Sequence, residues 1–185
     1  MIQDILQDSE QRMRGAISAL EGDLAGYRTG RASPQLIEKL VVEAYGGEMA
    51  LNQIALISVP EPQQLAIRPY DAATISHIER AILKSDLGLN PNNDGKIIRL
   101  NIPNLTEERR RTLQKQVGKR VEEAKVAVRN VRRDALNDLR DFKSEGLIPE
   151  DDFHRGQEDL QRLTDKMIGE IDKAGNNKEA EIMEI

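Results

Sequence analysis

Apolar residues recur along this chain in two different rhythms. From about residue 2 to 28, Ile2, Ile5, Leu6, Met13, Ile17, Leu20, Leu24 and Tyr27 share one side of a helix. From about 106 to 143, Leu113, Val117, Val121, Ala124, Val128, Val131, Ala135, Leu139 and Phe142 step by three or four residues without a break, as a helix must to keep one stripe against a partner. A third stripe starts near Glu150 and runs through Phe153, Leu160, Leu163, Met167, Ile171 and Ala174. Thr106 is a candidate N-cap for the second helix, and Glu107 and Glu108 suit the positive end of its dipole. Gly146 and Pro149 separate the second helix from the third. At 1.5 Å per residue the second helix would extend on the order of 55 Å, which predicts a rod-like bundle.

Between the first two helices the rhythm changes. Short apolar runs at 40–42, 54–59, 65–67 and 97–100 read as strands. Turn material at Gly46-Gly47, Pro60-Glu61-Pro62 and 90–95 separates them, and residues 74–84 fit one short helix. The expected architecture is α+β: a three-helix bundle from 1–30 and 105–185, with a small β/α/β domain from 31–104 inserted into it. Two connections of this kind make a natural hinge, expected near 29–34 (Gly30, Arg31, Ala32, Ser33, Pro34) and 102–106 (Pro103, Asn104, Leu105).

Composition narrows the function. Aromatics are 3% of the chain and Trp is absent, which disfavours base-stacking platforms and favours recognition through phosphates and shape. There is no Cys, hence no disulfide or thiolate metal site. The N-terminal residues lack the pattern of a signal peptide, and no run approaches the roughly 20 apolar residues of a membrane span, so a cytoplasmic protein without membrane contact is expected.

Catalysis finds little support. His77 and His154 have no sequence context that makes a nucleophile–base pair. The phosphate-loop pattern fails at both Gly-Lys pairs: Gly95-Lys96 is followed by Ile97, and Gly118-Lys119 by Arg120. Glu150-Asp151-Asp152 reads as a helix start more readily than as a metal cluster. The expectation is a binding protein that is not an enzyme and carries no cofactor or metal.

Charge supplies the strongest signal. The chain has a formal net charge of −5, yet residues 109–133 carry ten Arg and Lys against Glu122 and Glu123, a local +8. Arg111, Lys115, Lys125, Arg129 and Arg132 follow one helical row beside the apolar stripe, so the row can face a partner while the stripe stays buried. Acidic residues of the third helix lower the global charge without cancelling a patch more than about 10 Å away in 0.1 M salt. Taken by themselves, these residues suit a polyanion, an acidic protein surface or plain solvation. Arg28, Arg31 and Arg110 are expected near the hinge, with pairing to Glu107 or Glu108 the competing possibility.

Four segments carry a family resemblance: Arg28-Thr29-Gly30-Arg31-Ala32-Ser33-Pro34, Ser85-Asp86-Leu87-Gly88-Leu89-Asn90-Pro91, Leu105-Thr106-Glu107-Glu108-Arg109-Arg110 and Val126-Ala127-Val128-Arg129-Asn130-Val131-Arg132-Arg133. In order and spacing they resemble the bacterial ribosome recycling factors across essentially the whole chain. The resemblance implies an L-shaped molecule with a flexible hinge, acting as a monomer. It implies binding to the post-termination ribosome through large-subunit rRNA and, with elongation factor G and its GTP hydrolysis, subunit separation with release of mRNA and tRNA. By position it implies rRNA contacts at Arg129 and Arg132, with Arg28, Arg31 and Arg110 near the joint. Lys125 and Arg133, in the same basic stretch, are counted with them.

Overall fold

The computed structural model describes residues 1–184, which divide into two compact units. The first comprises Met1–Tyr27 and Glu107–Met183, and the second is built on Arg28–Thr106.

Three long helices make the first unit: α1 (Ile2–Ala25) and two that follow the second unit in sequence. The chain of the second unit begins with β1 (Val41–Ala44) and β2 (Gly47–Ala50), then a single helical turn α2 (Leu51–Ile54). It continues through β3 (Ala55–Glu61), β4 (Gln64–Pro69), α3 (Ile75–Lys84), β5 (Pro91–Asn93) and β6 (Ile98–Asn101). The bundle is then completed by α4 (Glu107–Ser144) and α5 (Glu150–Met183).

The bundle's seam follows most of the expected stripes on α1 and α4, with Ile2, Ile5, Leu6, Val121 and Phe142 only half-buried. Met13, Ile17, Leu20 and Leu24 are buried from α1, and Leu113, Val117, Ala124, Val128, Val131, Ala135 and Leu139 from α4. The α1 helix stops at Ala25, short of the expected 28; the Gly26 and Tyr27 amides donate to the carbonyls of Asp23 and Leu24, tightening the last turn. On α5 the seam differs from its expected course. Leu163 and Ala174 are only half-buried, and Gly156, Thr164 and Gly175 are buried among Phe153, Leu160, Met167 and Ile171. Thr164 satisfies its hydroxyl by donating to the Leu160 carbonyl at 2.8 Å. Glycine lets the helices close in: a Cβ at Gly175 would lie 2.7 Å from Val121 Cγ2.

That approach sets an opposed pair of expectations on one helix. Gly169 has open space where a Cβ would go, so Gly169→Ala should stabilise the fold by about 1 kcal/mol through helix propensity. Gly175→Ala should instead destabilise it by about 1–2 kcal/mol, because the stiff, β-branched Val121 must move. Thermal melts of the two variants check the signs.

Between α4 and α5 the chain turns at Gly146, whose φ is +72°. The Leu147 amide donates to the Phe142 carbonyl and the Gly146 amide to that of Lys143, a Schellman closure that needs the left-handed residue.

In the second unit β1 and β2 form an antiparallel hairpin, and a four-stranded antiparallel sheet runs in the order β3-β4-β6-β5. The hairpin turns on Tyr45 and Gly46, both with positive φ, so Gly47 begins a strand rather than completing the turn. β5 occupies residues that read as a turn. It is an edge strand beginning at Pro91, where a missing N–H is tolerated. Ile75, Ile78 and Ile82 of α3 pack with Val42, Leu51, Leu65, Ile67, Ile98 and Leu100 in one core.

The β5–β6 turn depends on Asp94. One of its carboxylate oxygens accepts from the amides of Lys96 (2.9 Å) and Ile97 (2.8 Å), and the other pairs with Arg99 at 2.9 Å. These bonds, led by the backbone ones, lower its pKa to about 2. The carboxylate thus contributes stability that is whole above the ordinary Asp range and is lost as pH falls through about 2. Asp94→Asn should remove that part of the acid dependence, read as protection of the Lys96 and Ile97 amides between pH 5 and 2.

Candidate nucleic-acid interface

A long helix with one apolar stripe sorts its charged residues by angle, and α4 sorts the expected contact residues into three environments. Arg110 stands three residues before Leu113 and seven before Val117, so it continues the buried seam rather than the outer row. It is half-buried, and its Nε is buried with no hydrogen-bond partner among the described residues.

Residues flanking the seam are taken up by neighbouring helices. Lys125 Nζ lies 2.6 Å from Asp172 of α5, with the lysine side chain only 20% exposed. Arg120 Nε lies 2.5 Å from Asp23 of α1, with the arginine 19% exposed. At that burial the two cations serve helix–helix pairing first. Arg12 of α1 reaches Asp134 at 3.0 Å in the same way.

The outer face is different. Lys115, Lys119 and Arg133 are exposed and Arg132 is half-buried, and none of the four has an ion-pair partner among the described residues. Arg129 pairs with Glu122 at 3.2 Å, both side chains more than half exposed. Such a pair is worth about 0.2–1 kcal/mol and exchanges readily for a phosphate. Arg111 pairs with Glu107 at 2.5 Å, the intrahelical pairing that competes with binding a partner. The α4 face is therefore a row of cations whose internal partners, among the described residues, are weak or missing, an arrangement suited to phosphate contacts.

The connecting segments belong to the second unit. Arg28 Nη1 donates to the Leu87 carbonyl at 3.0 Å, and Arg31 Nη2 lies 2.5 Å from Glu184. Ser33 accepts from the Gln35 amide and caps a short 3-10 turn at Pro34–Leu36. The Ala32 amide donates to the Pro62 carbonyl (2.7 Å), and the Ile102 amide to that of Gln63 (2.7 Å). The Gln63 side-chain amide also donates to Asn104. Gly30 passes beside Leu105, whose amide nitrogen would be 4.0 Å from a Cβ at position 30. Both segments are thus fastened to a single turn, Pro62-Gln63 between β3 and β4. No sequence signal marked that turn as an anchor, because the bonds run through backbone atoms. Pro103 is exposed.

Among the described residues no group of His, Cys, Asp and Glu is placed to hold a metal ion, and no helix is long and apolar enough to cross a membrane.

The longest helix of this two-unit α+β chain thus presents a basic face on which Lys115, Lys119, Arg132 and Arg133 have no ion-pair partner among the described residues. The family model for ribosome recycling factor matches residues 20–183. Proteins named ribosome-recycling factor from Chloroflexus aurantiacus, Halalkalibacterium halodurans and Roseiflexus castenholzii are 56%, 56% and 55% identical over 185 residues, covering 100% of both chains. A solution structure of the ribosome recycling factor superposes with a TM-score of 0.77 at 44% identity, covering 100% of this chain and 98% of that one. The T. thermophilus ribosome recycling factor, in a set of models with E. coli elongation factor G on the E. coli post-termination complex, gives 0.67 at 41%, with full coverage of both. The chain belongs to the ribosome recycling factor family.

Proposed function

We propose that this protein binds the post-termination ribosome through large-subunit rRNA and, with elongation factor G and GTP, separates the subunits and releases mRNA and tRNA. The observation that carries the reading is similarity over the whole chain to proteins of that name, one of which stands with elongation factor G on a post-termination complex. The outer face of α4 supports it. Arg129, Arg132 and Arg133 are the rRNA contacts there, Lys115 and Lys119 extend the row, and Lys125 contributes from its edge while holding Asp172. Arg28, Arg31 and Arg110 complete the set at the joint. The protein supplies binding and leverage, the factor supplies the energy, and the work is done in the cytoplasm by a monomer.

The 31–104 domain turns on the bundle of 1–30 and 105–185. Residues 32 and 102 are held to the Pro62-Gln63 turn, so the bend is shared between 28–31 and 103–106, that is, Gly30 and Arg31 on one connection and Pro103, Asn104 and Leu105 on the other. Ala32, Ser33 and Pro34 set its border.

Cosedimentation with ribosomes and separated subunits over a salt series tests the reading. Saturable, salt-sensitive binding to ribosomes and large subunits is expected, followed by subunit separation only when elongation factor G and GTP are both added. Absence of binding at low salt overturns it.

A further inference from the structure

The basic face of α4 is interrupted at its centre. Counted by threes and fours, one narrow strip of the helix reads Lys115, Lys119, Glu122, Val126, Arg129 and Arg133, all six exposed. A carboxylate and an apolar side chain thus sit between two pairs of cations. Binding strength gives no reason for an acid there. At 0.1 M salt a carboxylate works against any phosphate within about 10 Å, and a lysine at 122 would complete the row.

Glu122 is committed to one of those cations. On its own helix the nearest neighbours ahead of it are no use: Lys125 at i+3 is held by Asp172 of α5 at 2.6 Å, and i+4 is Val126. The glutamate reaches instead to Arg129, whose Nη1 donates to its Oε1 at 3.2 Å. Seven residues correspond to about 10.5 Å of helix axis, so the two side chains extend toward each other along the strip, past position 126. Arg129 is therefore drawn back along α4 rather than aimed outward. One bond joins the pair, and both side chains are more than half exposed. A phosphate offers a guanidinium two oxygens in the fork geometry that it prefers, so it can displace this carboxylate. The displaced carboxylate stays beside the new contact, tethered to the same helix. Glu123 makes a natural comparison. It stands one position on, about 100° round the helix, and has no ion-pair partner among the described residues.

We propose that Glu122 is a positioning and release residue for Arg129. It holds the guanidinium along the strip in the free protein and competes for it with the rRNA phosphate in the bound one. When the phosphate moves away, Glu122 recaptures Arg129, so docking on the ribosome stays reversible. This rests on the function proposed above, and in particular on Arg129 as an rRNA contact.

The test uses the full-length protein with Glu122→Gln, Glu123→Gln, Arg129→Ala and the combination of Glu122→Gln with Arg129→Ala, each checked for folding by thermal melts. Affinity for ribosomes is measured over a salt series, together with the dissociation rate. Glu122→Gln is expected to tighten binding on the order of tenfold at 0.1 M salt, mostly through slower dissociation, and to steepen the dependence of log K on log salt by about one. Glu123→Gln should change affinity by less than about threefold, and so should Glu122→Gln when Arg129 is already alanine, because the two residues act as one pair. Equal tightening by Glu123→Gln, or undiminished tightening without Arg129, would reduce Glu122 to a general repulsive charge and overturn the proposal. Unchanged or weaker binding by Glu122→Gln overturns it as well. If the unaltered protein does not bind ribosomes, or Arg129→Ala binds them normally, it is the proposed function or its Arg129 contact that fails.

Discussion

Replacing Arg132 and Arg133 together by alanine is expected to weaken ribosome binding by about 100-fold at 0.1 M salt, with little change in thermal stability. Both lie on α4, where neither has an ion-pair partner among the described residues, so removing them leaves no carboxylate stranded. Each phosphate that is no longer neutralised should make the dependence of log K on log salt shallower by about one. A slope reduced by about two identifies the partners of the two arginines as phosphates, whereas weaker binding at an unchanged slope would point to shape alone. Lys125→Ala supplies the contrast. Its ammonium is held by Asp172 at 2.6 Å, so this change should cost the bundle stability as well as affinity. Normal ribosome affinity in the double variant would remove the α4 face from the binding surface.

Ile67→Ala is expected to destabilise the small unit by about 2–5 kcal/mol and to leave the bundle nearly untouched. Ile67 is fully buried on β4 in a core shared with Leu65, Ile78, Ile98 and Leu100, all of them residues of the same unit. The chain divides into two compact units, and the cavity would lie wholly within the core of one of them. Amide exchange resolved by residue checks this. Protection should fall across β3, β4 and β6 while the central turns of α4 and α5 keep theirs. Equal loss in both units would show that they unfold as one, and would argue against the inserted-domain organisation proposed from the sequence.

The parts of the fold legible in the sequence are those in which side-chain hydropathy and backbone geometry share a period. The α4 stripe from Leu113 to Leu139 is of that kind, and so is the Ile75, Ile78, Ile82 face of α3. Where backbone pairing is made without apolar side chains the period is silent. β2 runs through Gly47 and Glu48, and β5 through Asn92 and Asn93, and their partners rather than their composition make them strands. Gly175 is hidden for a related reason, since hydropathy does not register a residue selected for having no side chain at all.

The candidate site divides along a different line. A basic row on α4 is visible in the spacing of its cations, but which of them are already engaged depends on residues far away in sequence. Asp172 and Asp23 take Lys125 and Arg120 out of the solvated face, and Arg110 falls on the seam side. Composition alone leaves RNA and an acidic protein equally fitting as partners. The resemblance of four segments to one family points to the ribosome, and full-length identity to its members supports that reading.

The adjacency of Gly30 and Leu105 bears on how such a chain can be assembled and re-engineered. The small unit begins and ends at neighbouring points, fastened to one turn, so it can be treated as a cassette. Once it has folded, the closure it imposes between α1 and α4 is that of a short loop, and its full length adds almost nothing to the entropy of joining them. A gene with 31–104 excised and the cut bridged by a few flexible residues would encode an uninterrupted three-helix hairpin. Conversely, the excised segment carries its own matched ends for grafting into another host protein.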